Sequence, residues 1–352
     1  MTLANFWFLA IAVLFVGYLV LEGFDFGVGM LMPILGRDDP HTAADTRRRV
    51  VLNTIGPVWD GNEVWLITAV GAMFAAFPDW YATVFSGFYL PLLLILVALI
   101  GRVCAIEYRG KIDDVTWRAR CDLAIGFGSW IPAMVWGWLF ANLVRGVPVG
   151  ADRQMHATVL DLLNPYALLG AVTTTALFLL HGSAFLTLKT AGQVRADAAK
   201  VTRTIAVPAL VVTAAFLVWT QLTYGKPWTT WVVGTALLAL ITALCAARNQ
   251  RDGVAFAATT IAVAGTGALL FAALFPVLVP STVDPIHSLT ITSAASSPYT
   301  LTVLTWCAMI AAPVVLLYQG WTYWVFRRRI AVEHIPASIG LPATAPTHGE
   351  PR

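Results

Sequence analysis

The chain of 352 residues is 58% hydrophobic and only 12% charged, with a mean hydropathy of +0.74, where a soluble domain carries about twice that share of charge. This balance excludes a water-soluble enzyme or nucleic-acid-binding domain and identifies an integral membrane protein; the net charge of +3 says little until the charges are placed. Four cysteines, Cys104, Cys121, Cys245 and Cys307, lie far apart without CxxC spacing, so they indicate neither a disulfide framework nor a zinc or iron–sulfur site and read as small packing residues.

A bilayer core needs roughly 20 apolar residues per helix. Nine segments qualify, at about 6–34, 51–77, 80–101, 121–144, 165–187, 204–223, 229–247, 254–279 and 301–325. The first is not a cleaved signal, because residues 1–5 lack a basic region, the apolar run is too long and no small-residue cleavage site follows. It contains LEGFDFGVGM, with Glu22 and Asp25 three residues apart. The second contains GPVWDGNEVWL, with Asp60 and Glu63 at the same spacing and no Lys or Arg within seven residues of either acid. Arg102 and Glu107 follow the third segment, at a helix end, where an inter-subunit or lipid role competes with topology signalling. The connection 280–300, rich in Ser and Thr, is expected to lie over one external face, and residues 331–352 read as a disordered cytoplasmic tail after a transmembrane domain of residues 1–330. Trp80, Tyr81, Trp228, Trp231, Trp321, Tyr323 and Trp324, near segment ends, read as interfacial anchors.

Orientation follows from the Lys and Arg residues of alternate connections. Arg37, Arg47–49, Arg102, Arg109, Lys111, Arg118, Arg120, Lys189, Arg195, Lys200, Arg203, Arg248, Arg251, Arg327–329 and Arg352 make nineteen on one side, against Arg145, Arg153 and Lys226 on the other. The fold expected is therefore all-α and polytopic, with nine transmembrane helices, the N-terminus outside and the C-terminus cytoplasmic. There is no repeat, phosphate-binding glycine loop or nucleic-acid patch.

The spacing of three puts each acid pair on one helix face. At 1.5 Å per residue, Asp25 lies roughly 18 Å from Arg37 and Asp60 roughly 16 Å from Arg49, while Glu22 and Glu63 lie roughly 21–22 Å deep. Packed antiparallel, the two helices would level Asp25 with Asp60 and Glu22 with Glu63, a ladder of four carboxyl groups. Acids at that depth cost roughly 2.5–3.5 kcal/mol each and should face protein or water; a carboxyl group held there can carry a proton at neutral pH and hand it on. The bland alternative is that they only tie helices together. Gly23, Gly27, Gly29, Gly56 and Gly61 thin the same helices, and Pro57 can bend the second just before Asp60.

GFDFGVGML at 23–31, NTIGPVWDGNEVWL at 53–66, GRVCAIEYR at 101–109 and LLHGSAFLTLKT at 179–190 resemble, in order and spacing, the signature segments of subunit II of cytochrome bd-type quinol oxidases. The resemblance implies a haem-free chain packed against a subunit I that carries haems b558, b595 and d and the quinol site. Such a complex oxidises quinol at the outer face and reduces dioxygen to water with cytoplasmic protons, without pumping; a structural quinone and small accessory subunits belong to some relatives. By motif, Asp60 and Asp25 resemble the carboxylates of a proton route, Glu22 and Glu63 are their neighbours on it, and Trp65 matches a tryptophan lining an oxygen-access channel. No metal or cofactor ligand is expected in this chain. Of six histidines only His181 lies well inside a segment, where it reads as a hydrogen-bonding core residue, whereas His41, His156, His287, His334 and His348 lie in loops or the tail. Two other readings stay open: a proton-coupled secondary transporter, which calls for matching interrupted helices that the sequence lacks, and a purely scaffolding subunit.

Overall fold

The computed structural model describes residues 2–35, 41–336 and 340–342; Arg37, His348 and Arg352, used or weighed above, lie outside the described residues. Twelve α-helices follow one another: α1 (Leu3–Leu31), α2 (His41–Ile55), α3 (Trp59–Ala76), α4 (Pro78–Gly87), α5 (Tyr89–Tyr108), α6 (Val115–Arg145), α7 (Pro165–Lys189), α8 (Gly192–Tyr224), α9 (Thr230–Arg248), α10 (Asp252–Leu274), the single turn α11 (Ile291–Ala294) and α12 (Pro298–Val325). Short polar side chains set several starts by accepting backbone N–H groups that have no helical partner. Asp114 accepts from Trp117 at 2.6 Å at α6, Asn164 from Ala167 at 2.9 Å at α7, and Ser297 from Thr300 at 3.2 Å at α12, the last two followed by a proline whose missing N–H costs nothing there. Gly146, at φ +92°, ends α6 in a conformation that a side chain would strain.

Among the described residues, eight helical stretches are long and apolar enough to cross a membrane: α1, α5, α6, α7, α8, the 3-10 turn at Pro227 continuing into α9, α10 and α12. The segment 51–77, expected as one span, is instead two helices. Pro57 has no N–H, and Val58 N reaches back only to the Ile55 carbonyl at 2.9 Å, so α2 stops and α3 begins afresh at Trp59. The 18 residues of α3 extend about 27 Å, close to the hydrocarbon thickness, but Asp60, Asn62 and Glu63 crowd its first two turns. The segment 80–101 also divides, into the short α4 and a longer α5. Arg102, read from the sequence as part of a cytoplasmic connection, is thereby corrected: it lies inside α5 and is completely buried.

Helix α1 lies at the centre, packed against α3, α6, α7 and α10, while α5–α6, α7–α8 and α9–α10 pack as sequential neighbours around it. The α1–α7 crossing is close enough that a Cβ on Gly27 would stand 2.0 Å from the Phe178 carbonyl oxygen and 2.7 Å from the Gly182 Cα. Small residues at such a crossing let van der Waals contact and backbone approach hold helices that water does not push together. Beside it sits an aromatic core in which Phe15 stacks on Phe271 at 5.7 Å and Trp136 on Phe140 at 5.5 Å. Trp80 joins this core, 1% exposed and stacked on Phe8, so its expected role as an interfacial anchor is corrected; Trp228, Trp231, Trp321 and Trp324 are exposed.

Helix α12 rests mainly on α3 and α1 and buries a single residue, Leu301, leaving most of its apolar surface bare. At one end of the bundle the connection after α10 forms an antiparallel pair, β2 (Val277–Val279) with β3 (Leu289–Thr290), and Ser296 hydrogen-bonds the carbonyls of Ala75 and Ala76, closing the C-terminus of α3. At the other, Ile330 pairs with Lys189 and Ala191, Val332–His334 forms a 3-10 turn, and Leu341–Pro342 pairs in parallel with Ile112–Asp113. The remaining residues of the expected tail, 337–339 and 343–352, lie outside the described residues.

Candidate functional site

Where α1, α3 and α5 meet, the interior is polar. Glu22 and Asp25 stand one turn apart on the same face of α1, both 0% exposed. Arg102 of α5 enters between α1 and α3; its Nη1 donates to Glu22 Oε1 and lies 3.5 Å from Glu63 Oε1. Its guanidinium lies 5.1 Å from the centre of the Phe26 ring, a cation–π contact that covers the charge on one side. A fully buried arginine is tolerable only with such partners, because an isolated charge in a low-dielectric interior costs many kilocalories.

Asp25 is held differently. Asn62, also 0% exposed, donates Nδ2 to Asp25 Oδ2 at 2.7 Å, and its Oδ1 accepts from Tyr323 at 2.7 Å and Gln319 at 3.3 Å. Gln319 in turn accepts the Trp65 indole N–H at 2.8 Å. Trp65 lies across Gly17, whose Cβ, if present, would stand 2.2 Å from the indole ring. The resulting chain of hydrogen bonds, Asp25–Asn62–Gln319–Trp65 with Tyr323 as a branch, ties the otherwise loosely seated α12 to α1 through α3. Tyr323 is therefore a member of this network; its sequence reading as an anchor is corrected.

The four acids thus do not form the ladder expected from depth alone. Glu22 and Glu63 do come together, through the shared Arg102, but Asp25 meets Asn62 instead of Asp60. Asp60 points out of the chain: it is exposed and has no hydrogen bond or ion pair among the described residues. It occupies the first turn of α3, where backbone N–H groups lack helical partners and the helix dipole favours a negative charge. Glu63 lies between these extremes, with 21% of its side chain exposed. Sequence reasoning missed Asn62 and Gln319, and it weighed Arg102 for an inter-subunit or lipid role at a helix end and not as the buried partner of Glu22. Each left a trace: an arginine interrupting LVALIGRVCAI, an amide between two acids in WDGNEVW, and the one amide of α12.

His181 is fully buried between α7, α1 and α10. Its Nε2 lies 3.1 Å from the Val20 carbonyl, which can only accept, so the neutral ring carries its hydrogen there and Nδ1 accepts from the Thr259 hydroxyl at 2.8 Å. With both nitrogens taken and its ring stacked on Phe256 at 4.8 Å, it is a hydrogen-bonding core residue and does not fit a haem ligand. Among the described residues no group of three or more His, Cys, Asp or Glu side chains could hold a metal ion. A second polar cluster lies at the end of the bundle shared by α2, α5 and α6, where Asp122 accepts from Arg109 Nε at 2.5 Å and Arg48 at 2.9 Å, and Arg109 also reaches Asp45 at 2.9 Å. The guanidinium of Arg109 is pushed above its ordinary value by Asp122 and Asp45, which outweigh the effect of its burial.

The whole chain has close counterparts. Residues 3–326 match the family model described as cytochrome bd terminal oxidase subunit II. The chain is 42% identical over 337 residues to the cytochrome bd ubiquinol oxidase subunit 2 of Bacillus subtilis, covering 94% of this chain and 97% of that one. It is 35% identical over 369 residues to the cytochrome bd-I ubiquinol oxidase subunit 2 of Escherichia coli K12, covering 94% and 95%. Its fold resembles a chain of the bd oxidase from Geobacillus thermodenitrificans, with a TM-score of 0.76 at 18% identity over 92% of this chain and 97% of that one. The chain belongs to the cytochrome bd terminal oxidase subunit II family.

Proposed function

We propose that this chain passes protons from the cytoplasmic side to a haem-bearing subunit I, using Asp60 as the carboxylate at the junction and Asp25, Glu63 and Glu22 as neighbouring carriers. The chain is a subunit of a quinol oxidase of the bacterial cell membrane. The observation that carries the proton route is the contrast within one site: Glu22 and Asp25 are sealed in the interior, Glu63 is partly open, and Asp60 faces outward with no partner among the described residues. An outward carboxylate beside a broken helix, at membrane depth, belongs against another protein or water and not against lipid. The bare faces of α3 and α12 are the seat proposed for subunit I. Nine spans with the N-terminus outside are part of the same reading, with α3 as the ninth, sheltered by that subunit; the Lys and Arg distribution supports it.

Haems b558, b595 and d are assigned to subunit I by the resemblance. The apolar groove of about 480 Å³ between α1, α9 and α10, lined by Phe8, Val13, Val16, Trp228, Phe271 and Phe275, suits the isoprenoid tail of a structural quinone. Trp65 is proposed to border an oxygen path by resemblance; beside it, an apolar groove of about 240 Å³ runs along Leu66, Val70, Leu92 and Trp136.

The test is Asp60→Asn in the intact complex. The expected result is lost oxygen consumption with the visible b and d haem spectrum retained. Unchanged consumption would overturn the route, and a lost haem spectrum would favour the scaffolding reading.

A further inference from the structure

Five buried side-chain atoms of the polar site have no hydrogen-bond partner among the described residues: Glu22 Oε2, Asp25 Oδ1, Glu63 Oε1, and Arg102 Nε and Nη2. Native interiors rarely leave such atoms unpaired; they are satisfied by protein or by ordered water in polar sites with several convergent groups. Structural arginine–carboxylate pairs frequently use the guanidinium fork in two parallel bonds, as Arg109 does with Asp122. In Arg102 one nitrogen, Nη1, faces two carboxylates on two helices, bonded to Glu22 and 3.5 Å from Glu63, and the other two nitrogens anchor nothing.

We propose that Arg102 is a positioning residue that alternates between Glu22 and Glu63 as a proton passes, with ordered water filling the gaps among Glu22, Asp25 and Glu63. The proposal rests on the proton-route reading above and names its internal gate. With both glutamates ionised, the trio with Arg102 carries one net negative charge, and one added proton neutralises it. A proton arriving on Glu22 forms an O–H bond and removes the charge that holds Arg102, whose Nη1 then turns to the Glu63 carboxylate. When the proton crosses through water to Glu63, Glu22 regains its charge and recovers Arg102. Glu63, no longer paired, releases the proton at its exposed edge. No electron moves, and the guanidinium stays charged throughout.

The surroundings permit a small lateral shift and little else. Phe26 covers one face of the guanidinium, and the stem is confined because α6 packs onto it at Gly128, where a Cβ would stand 2.5 Å from Arg102 Cβ and 2.7 Å from the Ala98 carbonyl oxygen. The head is free where the stem is not.

The experiment uses the intact complex, with assembly checked by its haem spectrum. Proton uptake is timed with a pH dye after mixing reduced enzyme with oxygen, and infrared difference spectra follow the C=O bands of protonated carboxyl groups, assigned with Glu22→Gln and Glu63→Gln. Arg102→Gln is expected to slow uptake on the order of 100-fold with haems retained, the scale of a misplaced reacting group, and Arg102→Lys to recover about tenfold of it. The Glu22 band should change in Glu63→Gln, which takes away the second seat of the guanidinium; a static ion pair predicts no such change. Wild-type uptake in both Arg102 variants overturns the proposal. If those variants do not assemble, an unaltered Glu22 band and uptake rate in Glu63→Gln overturn it instead. Should Asp60→Asn stop oxygen consumption while these measurements are unmoved, the gate fails and the route stands; if Asp60→Asn changes nothing, both fail.

Discussion

The Glu22–Arg102 pair is open to a thermodynamic cycle. Arg102→Met keeps the volume and the apolar stem but removes the cation from a site where Glu22 and Asp25 are 0% exposed. Removing one partner of a buried pair typically costs about 3–5 kcal/mol, because the surviving charge is left uncompensated. That is roughly a two- to four-decade fall in the folded-to-unfolded ratio. Glu22→Leu alone leaves Arg102 with Glu63 at 3.5 Å, so its expected cost is smaller, about 1–3 kcal/mol. The double variant replaces both charges by apolar groups of similar size. It should come out near neutral, since Glu63 keeps 21% of its side chain in reach of water. The summed single costs and the near-neutral double then differ by a coupling energy of about 4–8 kcal/mol. Denaturant titration of the purified complex in mixed micelles, read by release of this chain, measures the cycle. Additive single costs, or an Arg102→Met variant as stable as wild type, would refute the assignment of Arg102 as the internal counter-charge.

Two other sites carry predictions. Gly27→Ala should lower the yield of assembled complex, since its Cβ would sit 2.0 Å from the Phe178 carbonyl and force α1 and α7 apart, a strain of about 1–3 kcal/mol or more; Gly234→Ala on α9, which meets nothing within 4 Å and lies away from α3 and α12, is the control expected to assemble normally. Equal yields of the two would show that the close crossing is dispensable. Asn62→Leu leaves Asp25 Oδ2 and the Tyr323 hydroxyl without their 2.7 Å partner and should cost about 2–3 kcal/mol and impair oxygen consumption, whereas Tyr323→Phe should cost only about 1 kcal/mol. Thermal midpoints and oxygen-electrode rates check both, and a stable, fully active Asn62→Leu would count against the network.

What the sequence could convey was decided by how local the determining chemistry is. Apolar length, caps and the spacing of three within each acid pair are local, and α1, α6, α7 and α12 follow them closely. Arg102 shows the limit. A charge in an apolar stretch reads as the end of a span, because its cost in hydrocarbon is what periodicity registers; its neutralisation by Glu22, eighty positions earlier in the chain, is not. Trp80 was misplaced for the same reason, since an indole near a segment end suits the interface until a neighbour such as Phe8 covers it. The depth estimate failed for Asp60 because it assumed an unbroken helix through Pro57. Restarting at Trp59 turns Asp60 outward while Asn62, two residues on, turns inward to Asp25. The same break explains why the acids could be kept at all. The charges of the inward groups are met within this chain by Arg102 and Asn62, so their burial does not depend on a partner protein. Among the described residues the outward acid is compensated by nothing except the first turn of its own helix, and on the proposed nine-span reading its tolerance depends on what packs against α3.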